Sequence, residues 1–213
     1  MSIPARGVVF IVDDDASVRK GLGRLMRSVG YHAETFESAE VFLAHPPVDV
    51  PACLILDVMM PGLTGPALQE RLAIDGSLLP IVFLSGHADV PTSVRAMKHG
   101  ALDFLQKPVE DHILLQAVEV ALERSARTRA ESGEIAGILS RLELLTPRER
   151  EVLEQVITGA LNKQIAATLA IAEKTVKIHR AQVMRKMQVG SVAELVRRAA
   201  RVGIGPDTLL FPK

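Results

Sequence analysis

The chain has few of the features on which secreted and membrane proteins depend. Its 213 residues include one cysteine, Cys53, so no disulfide can form within the chain. No apolar run approaches the ~18 residues of a membrane-spanning helix, and the N-terminus lacks the apolar stretch of a signal peptide. We therefore expect a cytoplasmic protein that has no membrane partner.

Aromatic residues are also scarce, at 3% of the chain, whereas hydrophobic residues make up 48%. Aliphatic side chains must therefore build most of any core. Two domains are more common than one at this length. Cys53 lies within an apolar run, where we expect a buried thiol without redox chemistry.

The net charge is zero, but the charge is unevenly distributed along the chain. Residues 1–124 carry 10 Lys and Arg against 16 Asp and Glu, whereas residues 125–213 carry 15 against 9. An acidic part joined to a basic part indicates a cation or regulatory site in the first and a polyanionic partner for the second.

Short apolar runs alternate with helix-like stretches in the first 124 residues. The runs are Val8–Val12, Ala33–Phe36, Cys53–Leu56, Ile81–Leu84 and Ala101–Leu105. Helical spacing of apolar residues fills the intervals: Ser17–Val29, Ala39–Ala44, Thr64–Ile74, Thr92–His99 and Asp111–Arg129. This alternation predicts an α/β domain with a five-stranded parallel sheet covered on both faces.

Polar residues follow four of the five apolar runs. Asp13 and Asp14 follow the first run, Asp57 the third and Ser85 the fourth, and Lys107 comes two residues after the fifth. Because parallel strands end at one edge of a sheet, we expect these side chains to converge there. Three carboxylates, a hydroxyl and an ammonium suit Mg²⁺ and a phosphoryl group.

The residue types of the predicted pocket suit Mg²⁺ binding and phosphoryl transfer. Three carboxylates without a cation would oppose one another's ionisation, and Mg²⁺ would relieve that repulsion. Asp57 could then act as a nucleophile and form an acyl phosphate. Lys107 would neutralise charge on the transferred group, while Ser85 would donate a hydrogen bond to it. Acidic residues also keep strand ends soluble, but that role does not explain their matching positions after successive runs.

The motifs around these residues resemble the receiver domain of two-component response regulators. Four segments over about 120 residues carry the resemblance: Val12–Asp15, Leu56–Gly62, Leu84–His87 and Phe104–Pro108. The resemblance implies a doubly wound, flavodoxin-like fold. It implies Asp57 as the phosphoacceptor, with Asp14, Asp57 and the Met59 carbonyl as Mg²⁺ ligands and Asp13 acting mainly through water.

The resemblance implies further roles at the last two strands. Lys107 and Pro108 would be joined by a cis peptide bond, next to the phosphate. Ser85 and Phe104 would form a switch pair, in which the hydroxyl moves towards the phosphate and the ring moves inward. A phosphatase of the haloacid dehalogenase type would need a second Asp two residues after Asp57, where this chain has Met59.

A second helical pattern follows residues 125–141, a polar stretch that we interpret as a linker or a helical extension. Thr146, Pro147 and Glu149 form a capping box with proline at the first helical position. Three more helices are predicted: Lys163–Leu169, Glu173–Met187 and Val192–Val202. We predict a four-helix helix-turn-helix domain over residues 142–205, followed by a tail of residues 206–213.

The third of these helices has two different faces. Its inward stripe contains Val176, His179, Val183 and Met187, whereas its opposite face is basic and includes the apolar Ile178. Such a face suits the major groove of double-stranded DNA, with a lysine at a guanine edge or phosphate and Ile178 against a thymine methyl group.

Three segments of this second part resemble the LuxR-type DNA-binding domain: Leu145–Leu153, Asn162–Ala166 and Lys174–His179. The basic face and the resemblance together give DNA contacts at Lys163, Lys174, Thr175, Lys177, Ile178, Arg180, Ala181 and Arg185. Two departures matter. Ala172 stands where a serine often caps the recognition helix, and Ala181 stands where some relatives have a lysine that reads bases.

About nine tenths of the chain resembles the NarL/FixJ class of response regulators. The resemblance implies a DNA-binding regulator that is not an enzyme. A sensor histidine kinase would phosphorylate Asp57, the protein would form a homodimer, and the dimer would bind promoter DNA and act with RNA polymerase. Activation is the commoner output of this class. Two alternatives are a regulator that works without phosphorylation and an enzyme that turns over small phosphodonors.

Overall fold

A computed structural model of the chain describes residues 6–86 and 90–205. The chain divides into two compact units, Met1–Ala130 and Glu131–Lys213. His87 of the third receiver-like motif and the predicted tail, residues 206–213, lie outside the described residues. Within the described ranges, no helix is long and apolar enough to cross a membrane.

The first unit contains a parallel five-stranded sheet in the order β2-β1-β3-β4-β5. The strands are β1 (Val8–Val12), β2 (His32–Phe36), β3 (Ala52–Asp57), β4 (Ile81–Ser85) and β5 (Asp103–Gln106). The predicted sheet is confirmed, with shifts at strand ends. Asp57 and Ser85 are the last residues of their strands rather than the first after them, and β5 begins two residues later than predicted.

Five helices surround this sheet: α1 (Ala16–Ser28), α2 (Ala39–Leu43), α3 (Gly65–Ile74), α4 (Val90–Lys98) and α5 (Asp111–Glu143). Alternate residues of β1 point to opposite faces, as strand geometry requires. Phe10 packs against Phe42 of α2 and shares a core with Leu68 of α3 and Ala96 of α4. Ile11 belongs to a second core that includes side chains of α1 and α5. The sheet is therefore covered on both faces.

The last of these helices is longer than its predicted range, which ended at Arg129. α5 continues to Glu143, so residues 125–141 are helical. Ile138 and Leu142 continue its apolar spacing and are buried in the core of the second unit. The two glycines within this stretch do not end the helix.

The second unit contains α6 (Pro147–Ile157), α7 (Asn162–Thr168), α8 (Glu173–Lys186) and α9 (Val192–Arg201). The predicted capping box is confirmed, because Thr146 and Glu149 accept hydrogen bonds from each other's backbone N–H groups. The turn between α7 and α8 passes through Ala170, which has a positive φ of 52°. Side chains from all four helices share one core with Ile138 and Leu142.

Candidate functional site

The carboxyl edge of the sheet brings two of the predicted carboxylates into the interior. Asp13 follows β1 and is 1% exposed, and Asp57 ends the neighbouring β3 and is 6% exposed. Adjacent strands β1 and β3 lie where the strand order reverses, which is the usual ligand position in open α/β sheets. Their buried carboxylates define the centre of the candidate site.

Lys107 joins these two carboxylates. Its Nζ atom lies 2.6 Å from Oδ2 of Asp13 and also donates a hydrogen bond to Oδ1 of Asp57. The Lys107 backbone N–H donates to the Ser85 carbonyl at 2.8 Å, which anchors the lysine beside β4. The Lys107–Pro108 peptide bond is cis, as the resemblance implies.

The surroundings of Asp57 disfavour the ionised form of its carboxyl group. Burial raises the pKa of this carboxyl, the hydrogen bond from Lys107 lowers it, and the charge of Asp13 raises it again, with a net upward shift. Burial lowers the pKa of Lys107, but its hydrogen bonds to Asp13 and Asp57 raise it by more. The single ammonium group of Lys107 therefore pairs with two buried carboxylates.

Asp14 does not join this pairing. Its side chain is exposed and makes no hydrogen bond or ion pair with any described residue. In the described part of the chain, no three His, Cys, Asp or Glu side chains are arranged to hold a metal ion. Of the three carboxylates that we expected to converge, two lie together at Lys107.

The donor chemistry at this edge nevertheless fits Mg²⁺. The candidate ligands, Asp13, Asp14, Asp57 and the Met59 carbonyl, all offer oxygen, which Mg²⁺ prefers, and two of the carboxylates share a single lysine. Met59 is 73% exposed, and its N–H donates to Oδ2 of Asp57 at 2.7 Å. The loop carrying Met59 is thus tied directly to the phosphoacceptor candidate.

A glycine permits the close approach of α3 to this site. A Cβ atom at Gly65 would lie 2.2 Å from the Asp57 carbonyl oxygen. The Gly65 N–H donates to the Val58 carbonyl at 3.1 Å and closes the loop between β3 and α3. A side chain at this position would push α3 away from the end of β3.

The predicted switch residues lie on neighbouring strands. Ser85 is 2% exposed at the end of β4. Phe104 in β5 is partly buried, and its ring centroid lies 6.0 Å from that of Phe83. Both residues therefore border the edge at which Asp57 and Lys107 meet.

Two structural contacts near the site were missed in the sequence. Asp15 caps α1 by accepting hydrogen bonds from the N–H groups of Ser17 and Val18, and the hydrogen bond from the Ser17 side chain is the largest of the interactions that lower its pKa. An Asp before a helical pattern could have revealed this cap. Glu40 of α2 accepts a hydrogen bond from the N–H of Leu63, 23 residues away, and no sequence pattern indicates that contact.

The recognition helix α8 has the two predicted faces. Val176, Val183 and Met187 are buried, and His179 on the same stripe is partly buried. Ile178 is 54% exposed. The exposed residues on the outer face also include Lys174, Lys177, Ala181 and Arg185, and Lys163 is exposed on α7.

Some basic side chains of this face have partners within the unit. Arg180 donates to Oδ1 of Asn162 in α7 at 2.8 Å, which braces the two helices of the motif against each other. Lys177 lies 3.6 Å from Glu173, and Thr175 is partly buried. Ala172 gives α8 no side-chain cap.

Comparisons with known proteins agree with both parts of the chain. Residues 9–119 match the response regulator receiver domain, and residues 143–199 match the bacterial regulatory proteins of the luxR family. Nodulation protein W of Bradyrhizobium diazoefficiens is 47% identical over 202 residues, which cover 95% of this chain and 89% of that protein.

Two further relatives match nearly the whole chain. The transcriptional regulatory protein FixJ of Bradyrhizobium diazoefficiens is 43% identical and is covered to 98%, with 95% of this chain aligned. The solved structure of the response regulator StyR is 46% identical, with a TM-score of 0.86 over 92% of this chain and 100% of that chain.

Proposed function

Because the chain belongs to the response regulators of the NarL/FixJ class, which join a receiver domain to a LuxR-type DNA-binding domain, we propose that phosphorylation of Asp57 controls its regulation of transcription. The class regulates transcription rather than catalysing metabolic reactions. We propose a receiver over residues 1–124 and a DNA-binding domain over residues 142–205, joined by residues 125–141.

The contact of Lys107 with both Asp13 and Asp57 is the observation that carries this proposal. Phosphoryl transfer would form a bond between an Asp57 carboxylate oxygen and phosphorus and break the bond from phosphorus to the histidine nitrogen of a sensor kinase. Lys107 would neutralise the transferred oxygens. Mg²⁺ held by Asp14, Asp57 and the Met59 carbonyl, with Asp13 acting mainly through water, would supply further positive charge when bound.

A phosphoryl group at Asp57 would act through the neighbouring strands. Its oxygens would attract the Ser85 hydroxyl, and the Phe104 ring would move inward. This change would favour a receiver homodimer, which would present two α8 helices to half-sites about one DNA turn apart. Promoter DNA and RNA polymerase are the partners of the resulting complex.

Replacement of Asp57 tests the phosphorylation step. We expect Asp57→Asn to remain folded but to lose dimerisation in acetyl phosphate and Mg²⁺, because an amide cannot form the acyl phosphate. Analytical ultracentrifugation of the full chain measures the dimer, and intact-mass spectrometry measures the phosphoprotein. Equal dimerisation of both proteins would instead indicate a regulator that works without phosphorylation, and rapid phosphate release without accumulated phosphoprotein would indicate an enzyme.

Replacement of Lys177 tests the DNA-binding face. We expect Lys177→Ala to weaken operator binding about 5- to 150-fold, the range for loss of a base contact, or to reduce the salt slope by about one if the lysine contacts phosphate. Lys20→Ala, which removes an exposed lysine from α1, serves as the control. Unchanged operator affinity of Lys177→Ala at matched salt would show that the recognition face is misassigned.

A further inference from the structure

The loop between β3 and α3 carries the Met59 carbonyl, a candidate Mg²⁺ ligand, and part of this loop is exposed. Its ends are fixed, since Met59 donates to the Asp57 carboxylate and Gly65 donates to the Val58 carbonyl. Between these ends, Met60 is buried in the core, whereas Pro61 and Gly62 are exposed. The course of the loop after Met60, which continues from the Met59 carbonyl, therefore depends on what holds the exposed residues.

Glu40 of α2 provides that contact. Its Oε1 atom accepts a hydrogen bond from the Leu63 N–H at 3.0 Å. The neighbouring Gly62 has a positive φ of 76°, and a Cβ atom there would lie 2.9 Å from the same oxygen. Gly62 therefore allows the loop both its backbone conformation and its close approach to the carboxylate.

The Glu40 carboxylate is itself held in place. Hydrogen bonds with the Ser38 side chain, the Glu40 backbone N–H and the Leu63 N–H lower its pKa, with the Ser38 contact having the largest effect. Ser38 is also the N-cap of α2 and accepts a hydrogen bond from the Val41 N–H at 3.4 Å. The acceptor for the loop is thus an oriented anion on a helix.

We propose that Glu40 is a positioning residue of the phosphorylation site, because its bond to Leu63 holds the β3–α3 loop so that the Met59 carbonyl is presented to Mg²⁺ beside Asp57. The carboxylate acts through the loop backbone. This inference rests on the proposed function, since it assigns Glu40 a role in binding the cation of that site. Partners that orient metal ligands typically change metal affinity about 10- to 100-fold when removed.

Two substitutions separate the hydrogen bond from the charge. Glu40→Ala removes both, whereas Glu40→Gln keeps an oxygen that can accept the Leu63 N–H. Glu37→Gln is the matched control, since it removes an exposed carboxylate three residues earlier. Backbone amide shifts of the full-length, isotope-labelled protein measure Mg²⁺ affinity, and hydrogen exchange of the Leu63 amide reports the bond without requiring Mg²⁺ or phosphorylation.

We expect Glu40→Ala to expose the Leu63 amide to exchange and to weaken Mg²⁺ binding about tenfold. Glu40→Gln and Glu37→Gln should retain Leu63 protection and bind Mg²⁺ within about twofold of the wild type. Equal losses in the Ala and Gln variants would assign the effect to charge and overturn the proposal. Unchanged binding by Glu40→Ala would also overturn it, whereas absence of Mg²⁺ binding by the wild type would overturn the proposed function as well.

Discussion

At the scale of single residues, Asp57 carries a charge that its surroundings only partly compensate. It is 6% exposed and shares Lys107 with Asp13, so the cluster retains a net negative charge when both carboxylates are ionised. Burial and the neighbouring carboxylate raise the pKa of Asp57 despite the hydrogen bond from Lys107. A site that favours added positive charge is suited to binding a cation such as Mg²⁺ beside Asp57.

The raised pKa predicts that Asp57→Asn is more stable than the wild type at pH 7 without metal, because it removes a buried charge that Lys107 only partly compensates. Because the folded state binds the Asp57 proton more tightly than the unfolded state, wild-type stability falls relative to the variant as pH rises from the unfolded pKa through the folded pKa. Urea unfolding in EDTA between pH 3 and 8 measures this difference.

Asp14→Asn provides the control for this prediction. The Asp14 side chain is exposed and has no ion pair with Lys107, so its replacement should change the free energy of unfolding by less than about 0.5 kcal/mol. An Asp57→Asn variant that is no more stable at pH 7, or whose advantage persists below the unfolded pKa, would contradict the charge assignment.

The sequence motifs predicted that Asp13, Asp57 and Lys107 meet at one edge of the sheet, but they did not predict which carboxylates are buried there. Asp13 follows β1, Asp57 ends β3 and Lys107 follows β5, and the parallel sheet brings these residues together. The exposure of Asp14 could not be predicted, because a single backbone step separates it from the buried Asp13. The Glu40 contact was also beyond prediction, since it joins a helix to a loop 23 residues later without a recurring motif.

At the scale of elements, an ion pair near the C-terminal end of α8 joins this helix to α6. Lys186 of α8 lies 2.6 Å from Oε2 of Glu149 in α6, and Glu149 also accepts the Thr146 N–H at 2.8 Å. Burial alone would raise the pKa of Glu149, but its hydrogen bonds with Lys186 and Thr146 lower it overall. The Glu149 carboxylate thus takes part in the N-terminal cap of α6 and also joins α8 to α6 through Lys186.

Glu149→Gln should therefore lower the stability of the second unit at pH 7 by about 1–3 kcal/mol, because it leaves Lys186 without its charged partner. A lowered folded-state pKa contributes stability above the unfolded value, near 4.5, and this stability is lost as pH falls through the folded pKa. Chemical unfolding at pH 7 and at pH 3 should show the difference at pH 7 and its loss in acid.

Glu151→Gln is the matched control on the same helix. Its partner Arg148 is a surface residue with a partly exposed side chain, and such pairs contribute only about 0–1 kcal/mol. A Glu149→Gln variant that resembles this control at pH 7 would show that the buried ion pair contributes little to the attachment of α8.

Element types were predictable, whereas their ends depended on tertiary packing. Asp57 and Ser85 belong to strands because they pair with Leu84 and Gln106 in the sheet. α5 extends past Arg129 because Ile138 and Leu142 are buried in the second core. Local composition, with small and polar residues in this stretch, had left a linker and a helical extension both open.

At the scale of the whole molecule, the chain contains separate cores for its two tasks. Leu54 is fully buried on one face of the sheet, whereas Leu153 is 1% exposed among the helices of the second unit. A phosphoryl group on Asp57 can influence DNA binding only if the states of the receiver differ in their contacts. Separate cores allow each unit to keep its fold while those contacts change.

Separate cores also predict two unfolding transitions in calorimetry of the full chain, since proteins with several domains commonly depart from two-state unfolding. Leu54→Ala should lower the stability of the first unit and Leu153→Ala that of the second, each by about 2–5 kcal/mol.

Mg²⁺ should raise the midpoint temperature of only the first transition, because a ligand stabilises the unit that binds it. Asp57→Asn should weaken this rise by removing a proposed ligand. A single transition that shifts equally with either leucine substitution would show that the two units unfold as one. An equal Mg²⁺ effect on two separate transitions would contradict a Mg²⁺ site confined to the first unit.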